Sequence, residues 1–133
     1  SFTSGYFDKE DLYSQIITDN LHINEGMFFE NVVAQTLVAN GYDLLFYKHY
    51  NKEKHYDDME IDFLITLQFN KKYKTSPIEV KSSKKYKLNS LQLFNKKFKN
   101  ETGYSYVVHT KNFKIENRTI YLPIYMLFCL KGK

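Results

Sequence analysis

Two short apolar runs with charges set inside them constrain this chain more than any other feature. They read Glu60-Ile61-Asp62-Phe63-Leu64-Ile65 and Pro77-Ile78-Glu79-Val80-Lys81-Ser82. In the first, Ile61, Phe63 and Ile65 alternate with Glu60, Asp62 and Leu64; in the second, Ile78 and Val80 alternate with Glu79 and Lys81. A period of two predicts strands and puts Glu79 and Lys81 on one face. If the strands pair, Asp62 joins them. Two carboxylates beside one lysine can hold a divalent cation and activate water against a phosphodiester. Alone, the Glu79–Lys81 pair also reads as an ordinary solvated strand face.

A third acid strengthens the pattern. Residues 25–40 read as a helix with Asn24 as N-cap and Gly41 at the position that favours a left-handed residue. Within it, Met27, Val33, Ala34, Leu37 and Val38 stand three, four, seven or eight positions from Glu30. That spacing places Glu30 in the apolar stripe, with Asn31 and Gln35 marking the wet face. A buried carboxylate is usually paired, hydrogen-bonded or metal-bound. Glu30 paired with a lysine is the plainer alternative.

The remaining elements follow from periodicity and turn residues. Residues 8–20 predict a short helix, 43–50 a strand, 59–69 and 76–81 the two strands above, and 70–75 a lysine-bearing turn between them. A helix over 88–99 carries Leu91, Phe94 and Phe98 on one stripe, and strands over 104–110 and 119–125 lead into an apolar C-terminal segment. The fold class is α/β (α+β): a mixed central sheet flanked by helices, in the order α-β-β-β-α-β. The first three strands can form an antiparallel meander, with the second helix carrying the chain to the fourth, an assembly that rests on a resemblance to a known family.

The order of helix acid Glu30, strand acid Asp62 and Glu79-x-Lys81 resembles the PD-(D/E)xK, or restriction-endonuclease-like, superfamily. Asp62 follows Ile61 where the pattern often has proline. Beyond these residues, Asn24-Glu25-Gly26-Met27-Phe28-Phe29-Glu30-Asn31 and Ile120-Tyr121-Leu122-Pro123-Ile124-Tyr125-Met126 look like the uncharacterised C-terminal domain that follows AAA+ type ATPase modules in bacteria and archaea. The resemblance implies a restriction-endonuclease-like core over 24–133. It also implies that 1–23 is a helical or linker segment left from a longer parent chain, with an ATPase module upstream. It implies Mg²⁺ or Mn²⁺ held by Asp62, Glu79, the Val80 carbonyl and Glu30, with Lys81, Glu79 and Asp62 as catalytic groups acting on DNA. The alternative it leaves open is a non-catalytic DNA- or protein-binding accessory domain of the ATPase, with a relic site. Nucleases of this fold often cut as dimers, which leaves an oligomer open.

Composition bounds the partners. At 133 residues one domain is expected. The net charge of +4 permits nucleic-acid binding. Nearly all the cations are lysines, Arg118 being the one arginine. Lysine lacks the bidentate fork that reads guanine, so any DNA contact is expected to be sequence-nonspecific. The lysines at 84, 85 and 87 and at 96, 97 and 99 read either as a phosphate-tracking rim or as a solvated face. His22, His49, His55 and His109 have no zinc spacing. Gln92 reads as a solvent-facing residue of the second helix. Cys129 is the lone cysteine and is expected to pack as a small hydrophobe in a reducing, cytoplasmic setting. No membrane span, signal peptide or P-loop motif is visible.

Overall fold

The computed structural model describes residues 3–4 and 25–130. The expected helix over 8–20, the Asn24 cap and most of the 1–23 segment lie outside the described residues. The fold class is as expected: α+β, with one mixed sheet and helices against it.

Helix α1 spans Glu25–Ala39 and buries Val33, Ala34 and Leu37. It ends as Gly41 implies. Gly41 takes φ 96°, its N–H donates to the Val38 carbonyl, and the Tyr42 N–H reaches back to Leu37, each at 3.0 Å. This double closure satisfies two terminal carbonyls and needs a left-handed residue, which glycine adopts without a Cβ penalty.

Three antiparallel strands follow: β2 (Leu45–Asn51), β3 (Tyr56–Phe69) and β4 (Lys72–Val80). A two-residue strand β1 (Thr3–Ser4) pairs with β2. The β3–β4 turn is tighter than the sequence suggested. Only Asn70 and Lys71 lie outside the ladder, both with positive φ (49° and 67°), so Lys72 and Lys74 belong to β4. Positive φ at both central residues matches the twist of the flanking strands.

Helix α2 (Asn89–Lys97) then crosses to β5 (Ser105–His109), which runs parallel to β4. The C-terminal part adds a hairpin that periodicity missed. Strand β6 (Lys114–Glu116) pairs with β7 (Thr119–Pro123), and β7 lies parallel to β5. The sheet order is β1-β2-β3-β4-β5-β7-β6.

Residues 124 onward form a 3₁₀-helix, Ile124–Cys129, rather than extending the strand. Only Leu127 of that helix is buried, and Cys129 is exposed. With three residues per turn, one position in three faces inward, so Cys129 does not pack as expected. Among the described residues no helix is long and apolar enough to cross a membrane.

The sheet is packed on both faces. On the α1 face, Val33, Ala34 and Leu37 meet Phe63, Ile65, Ile78, Val80, Tyr106 and Val108. On the α2 face, Leu91 and Phe94 meet Tyr47, Ile61, Leu64 and Val107. Ile61 therefore lies on the opposite face from Phe63 and Ile65, against the simple alternation. The cause is a register shift. Leu45 pairs with Leu64 and Tyr47 with Ile61, so β3 holds one residue more than β2 over this interval. Such a bulge re-aims side chains, and here Asp62 and Phe63 both come to the α1 side.

Phe94 is fully buried and stacks near Tyr47 and Phe98, with ring centroids 5.3 and 4.9 Å away. Phe94→Ala is expected to cost about 3–5 kcal/mol, read as a lower urea midpoint at unchanged slope. A loss under about 1 kcal/mol would show that the α2 face does not support the sheet.

Candidate active site

The β3–β4 ladder runs from the tight turn as far as Phe63 opposite Ile78 and then stops. Beyond that point β3 stays with β2, through Ile61 and Glu60 opposite Tyr47 and Lys48. Strand β4 stays with β5, through Glu79 and Val80 opposite Val107 and Val108. The sheet opens into a fork. Two N–H groups that would have lost their ladder partners find carboxylates instead: Val80 N–H donates to Asp62 Oδ2 at 2.8 Å, and Asp62 N–H donates to Glu79 Oε1 at 3.2 Å. Unpaired backbone donors at partly buried positions are costly, and charged acceptors bind them strongly.

Lys81 closes the group. Its Nζ lies 3.4 Å from Glu79 Oε2, with the carboxylate side chain 6% exposed and the lysine 26%. The Lys81 N–H binds the Val108 carbonyl at 2.8 Å. Strand alternation then points the N–H and C=O of Val80 into the fork, the N–H toward Asp62. From α1, Glu30 lines the same cavity as Asp62, close enough for the two carboxyls to repel each other's charge. Its side chain is exposed, not buried as its helical spacing suggested. The reason is local: Glu30 stands over a cavity of about 250 Å³ rather than over packed core. That cavity is lined by Glu30, Asn31, Ala34, Phe46, Lys48, Glu60, Ile61, Asp62 and Phe63. Glu79, Val80 and Lys81 do not line it. They approach Asp62 from the other side of the fork.

The four expected side chains are thus brought together as a chain of contacts, Glu30 to Asp62 and then Glu79 to Lys81, rather than as a closed cage. Among the described residues no group of three or more His, Cys, Asp or Glu side chains is arranged to hold a metal ion. The oxygen set at the fork is two carboxylates and the Val80 carbonyl.

The electrostatics show an excess of negative charge. Burial pushes the Glu79 carboxyl up to about 7; nearby Asp62 adds to this and Lys81 opposes it. Glu30 is likewise pushed up to about 7, by partial burial of its carboxyl first and then by Asp62 and Glu60. Asp62 is raised by burial, against the Val80 hydrogen bond and Lys81. One lysine does not balance three carboxyls.

Periodicity missed Lys48 and Glu60 in the cavity lining. They are opposite each other in the β2–β3 ladder and their charges lie 3.8 Å apart. Only strand pairing could have exposed this. Gln92 is exposed on α2, as expected.

A family model described as "Domain of unknown function (DUF4143)" matches residues 25–127. No curated protein and no solved structure matches the chain.

A carboxyl whose folded pKa is raised stabilises the fold below its unfolded value, here about 4.5, and loses that contribution as pH rises through its folded value, about 7 for Glu79. The metal-free chain should therefore be more stable at pH 5 than at pH 8. Glu79→Gln, which mimics the protonated form, should remove part of that slope, on the order of 2 kcal/mol. Thermal melts across this range check it; an unchanged slope in the variant would contradict the assignment.

Proposed function

The chain belongs to the DUF4143 family, and on that premise we propose that it is a metal-dependent phosphodiesterase domain acting on DNA, built on a restriction-endonuclease-like core. The observation that carries this reading is the fork itself. Asp62 and Glu79 converge where β3 and β4 part, with Lys81 3.4 Å from Glu79 and Glu30 lining the same cavity as Asp62. Acid, acid and lysine on adjacent strands, plus an acid from the preceding helix, is the arrangement the superfamily resemblance implies.

The donor chemistry fits a hard divalent cation. Asp62, Glu79 and the Val80 carbonyl offer oxygen only, which suits Mg²⁺ or Mn²⁺, and these ions keep several waters and need few protein ligands. The raised carboxyl pKa values mark a site whose surplus negative charge a cation would offset. Such an ion supplies Lewis acidity toward a phosphate oxygen. The chain's own groups do the rest. Lys81 offsets charge on the reacting phosphate and orients a water beside Glu79. Glu30, beside Asp62 in the cavity and pushed up to about 7, can accept a proton from a water there. The one arginine, Arg118, is tied to the protein itself, donating to the Thr102 carbonyl at 2.8 Å and lying over the Phe69 ring. This favours sequence-nonspecific contact. An ATPase module preceding this domain in the parent chain is the partner this reading implies.

A second reading is supported by the same hydrogen bonds. Asp62 and Glu79 already satisfy two backbone N–H groups, so they can serve as structural stitches in a non-catalytic accessory domain.

Cleavage of supercoiled plasmid and single-stranded DNA with Mn²⁺ separates the two. The nuclease reading predicts cutting that EDTA abolishes and that Lys81→Ala reduces at least 100-fold without loss of folding, as expected when a charge-offsetting group is removed. Cutting unchanged in Lys81→Ala, or none in the wild type, would favour the accessory domain.

A further inference from the structure

His109 ends β5 beside Lys81, one register step beyond the Val80–Val108 pair. It is 3% exposed, and both ring nitrogens are engaged. Nε2 lies 3.0 Å from the Asn112 carbonyl and Nδ1 lies 3.0 Å from the Tyr86 hydroxyl. A carbonyl only accepts, so Nε2 carries the proton and Nδ1 accepts from Tyr86. Burial lowers the His109 pKa and keeps the ring neutral in this role. One side chain thus ties together the loop after β4, residues 81–88, and the loop after β5, residues 110–113.

Those two segments are alike in composition. The first reads Lys81-Ser82-Ser83-Lys84-Lys85-Tyr86-Lys87-Leu88 and the second Thr110-Lys111-Asn112-Phe113, followed by Lys114, with no acid in either. Lys84, Lys85, Lys87 and Lys111 are exposed. Lys111 sits over the Tyr86 ring at 5.3 Å, so the loops also touch through a cation–π contact. Lys114 is partly offset by Glu116 at 3.2 Å. Phe113, between Lys111 and Lys114, is 47% exposed. The result is a basic edge with an open aromatic ring at the carboxyl ends of parallel strands β4 and β5, where open α/β sheets bind ligands.

We propose that these two loops form a docking platform for an unpaired nucleic-acid strand, with phosphates on Lys84, Lys85, Lys87 and Lys111 and a base stacked on Phe113. The proposal rests on the nuclease reading for its occupant and adds strandedness and a path: a strand lying across the platform passes Lys81 on its way to the fork. Lysines without acids between them complement a phosphate backbone. A half-exposed phenylalanine offers a face to an unstacked base, whereas a duplex keeps its bases stacked. The neutral His109 joint presets both loops, which lowers the ordering cost of binding.

The test is fluorescence anisotropy of the full 133-residue chain with labelled oligothymidylate and with a duplex of the same length, in EDTA and over a range of salt. The single strand should bind at least fivefold tighter than the duplex. Phe113→Ala should weaken single-strand binding about tenfold and leave the salt slope unchanged. Joint replacement of Lys84, Lys85 and Lys87 by Gln should flatten the slope by roughly 2. Lys72→Gln, near the β3–β4 turn at the opposite end of the sheet, should do neither. No binding in EDTA, duplex binding as tight as single-strand binding, or indifference to both sets of substitutions would overturn the platform. Because no metal is present, these outcomes are independent of whether the fork cuts.

Discussion

The parting of β3 from β4 is the constraint on which the rest of the structure depends. A sheet that splits leaves backbone donors without ladder partners, and in a packed protein these must be satisfied. This chain satisfies them with acids: Asp62 takes the Val80 N–H and Glu79 takes the Asp62 N–H. The carboxylates are thereby fixed where β3 and β4 part. The bulge at Asp62–Phe63 is the companion device. It lets Phe63 join the α1-side core while Asp62 stays on that side, over the cavity and within reach of Glu30.

The same geometry accounts for the charge imbalance. Burial and crowding raise Glu30, Asp62 and Glu79 together, so without a cation the cluster holds protons near neutral pH. A divalent ion and a proton compete for the same oxygens. A fork that only needed stitching could have used uncharged acceptors. Three carboxyls with raised pKa values, one lysine and an adjoining cavity are the observations on which the proposed metal site rests.

Much of this was legible in the sequence because it rests on short-range pattern. The alternation around Glu79, the helix with its Gly41 stop and the Leu91–Phe94 stripe each follow from local periodicity, and each is found. The meander and the crossover to β5 are found as well, an expectation that leans on the family resemblance rather than on local pattern. What failed depended on pairing between distant segments. The simple alternation put Ile61 with Phe63, because a bulge opposite β2 leaves no mark in the β3 sequence alone. Glu30 was placed in the core by its spacing, because a cavity below a helix cannot be read from the helix. The β6–β7 hairpin was missed because β6 is three exposed residues, Lys114–Glu116, with no apolar phase. His109 looked ordinary because its role depends on Tyr86 and Asn112 meeting it in space.

The most direct test of the central claim is titration of Mn²⁺ into the metal-free chain by calorimetry, beside Asp62→Asn and Glu79→Gln. Saturable binding is expected in the wild type, tightening as pH rises from 6 to 8, releasing protons, and lost in both variants. Absence of binding, or binding that survives both substitutions, would mean that the carboxylates at the fork serve the sheet and not a metal.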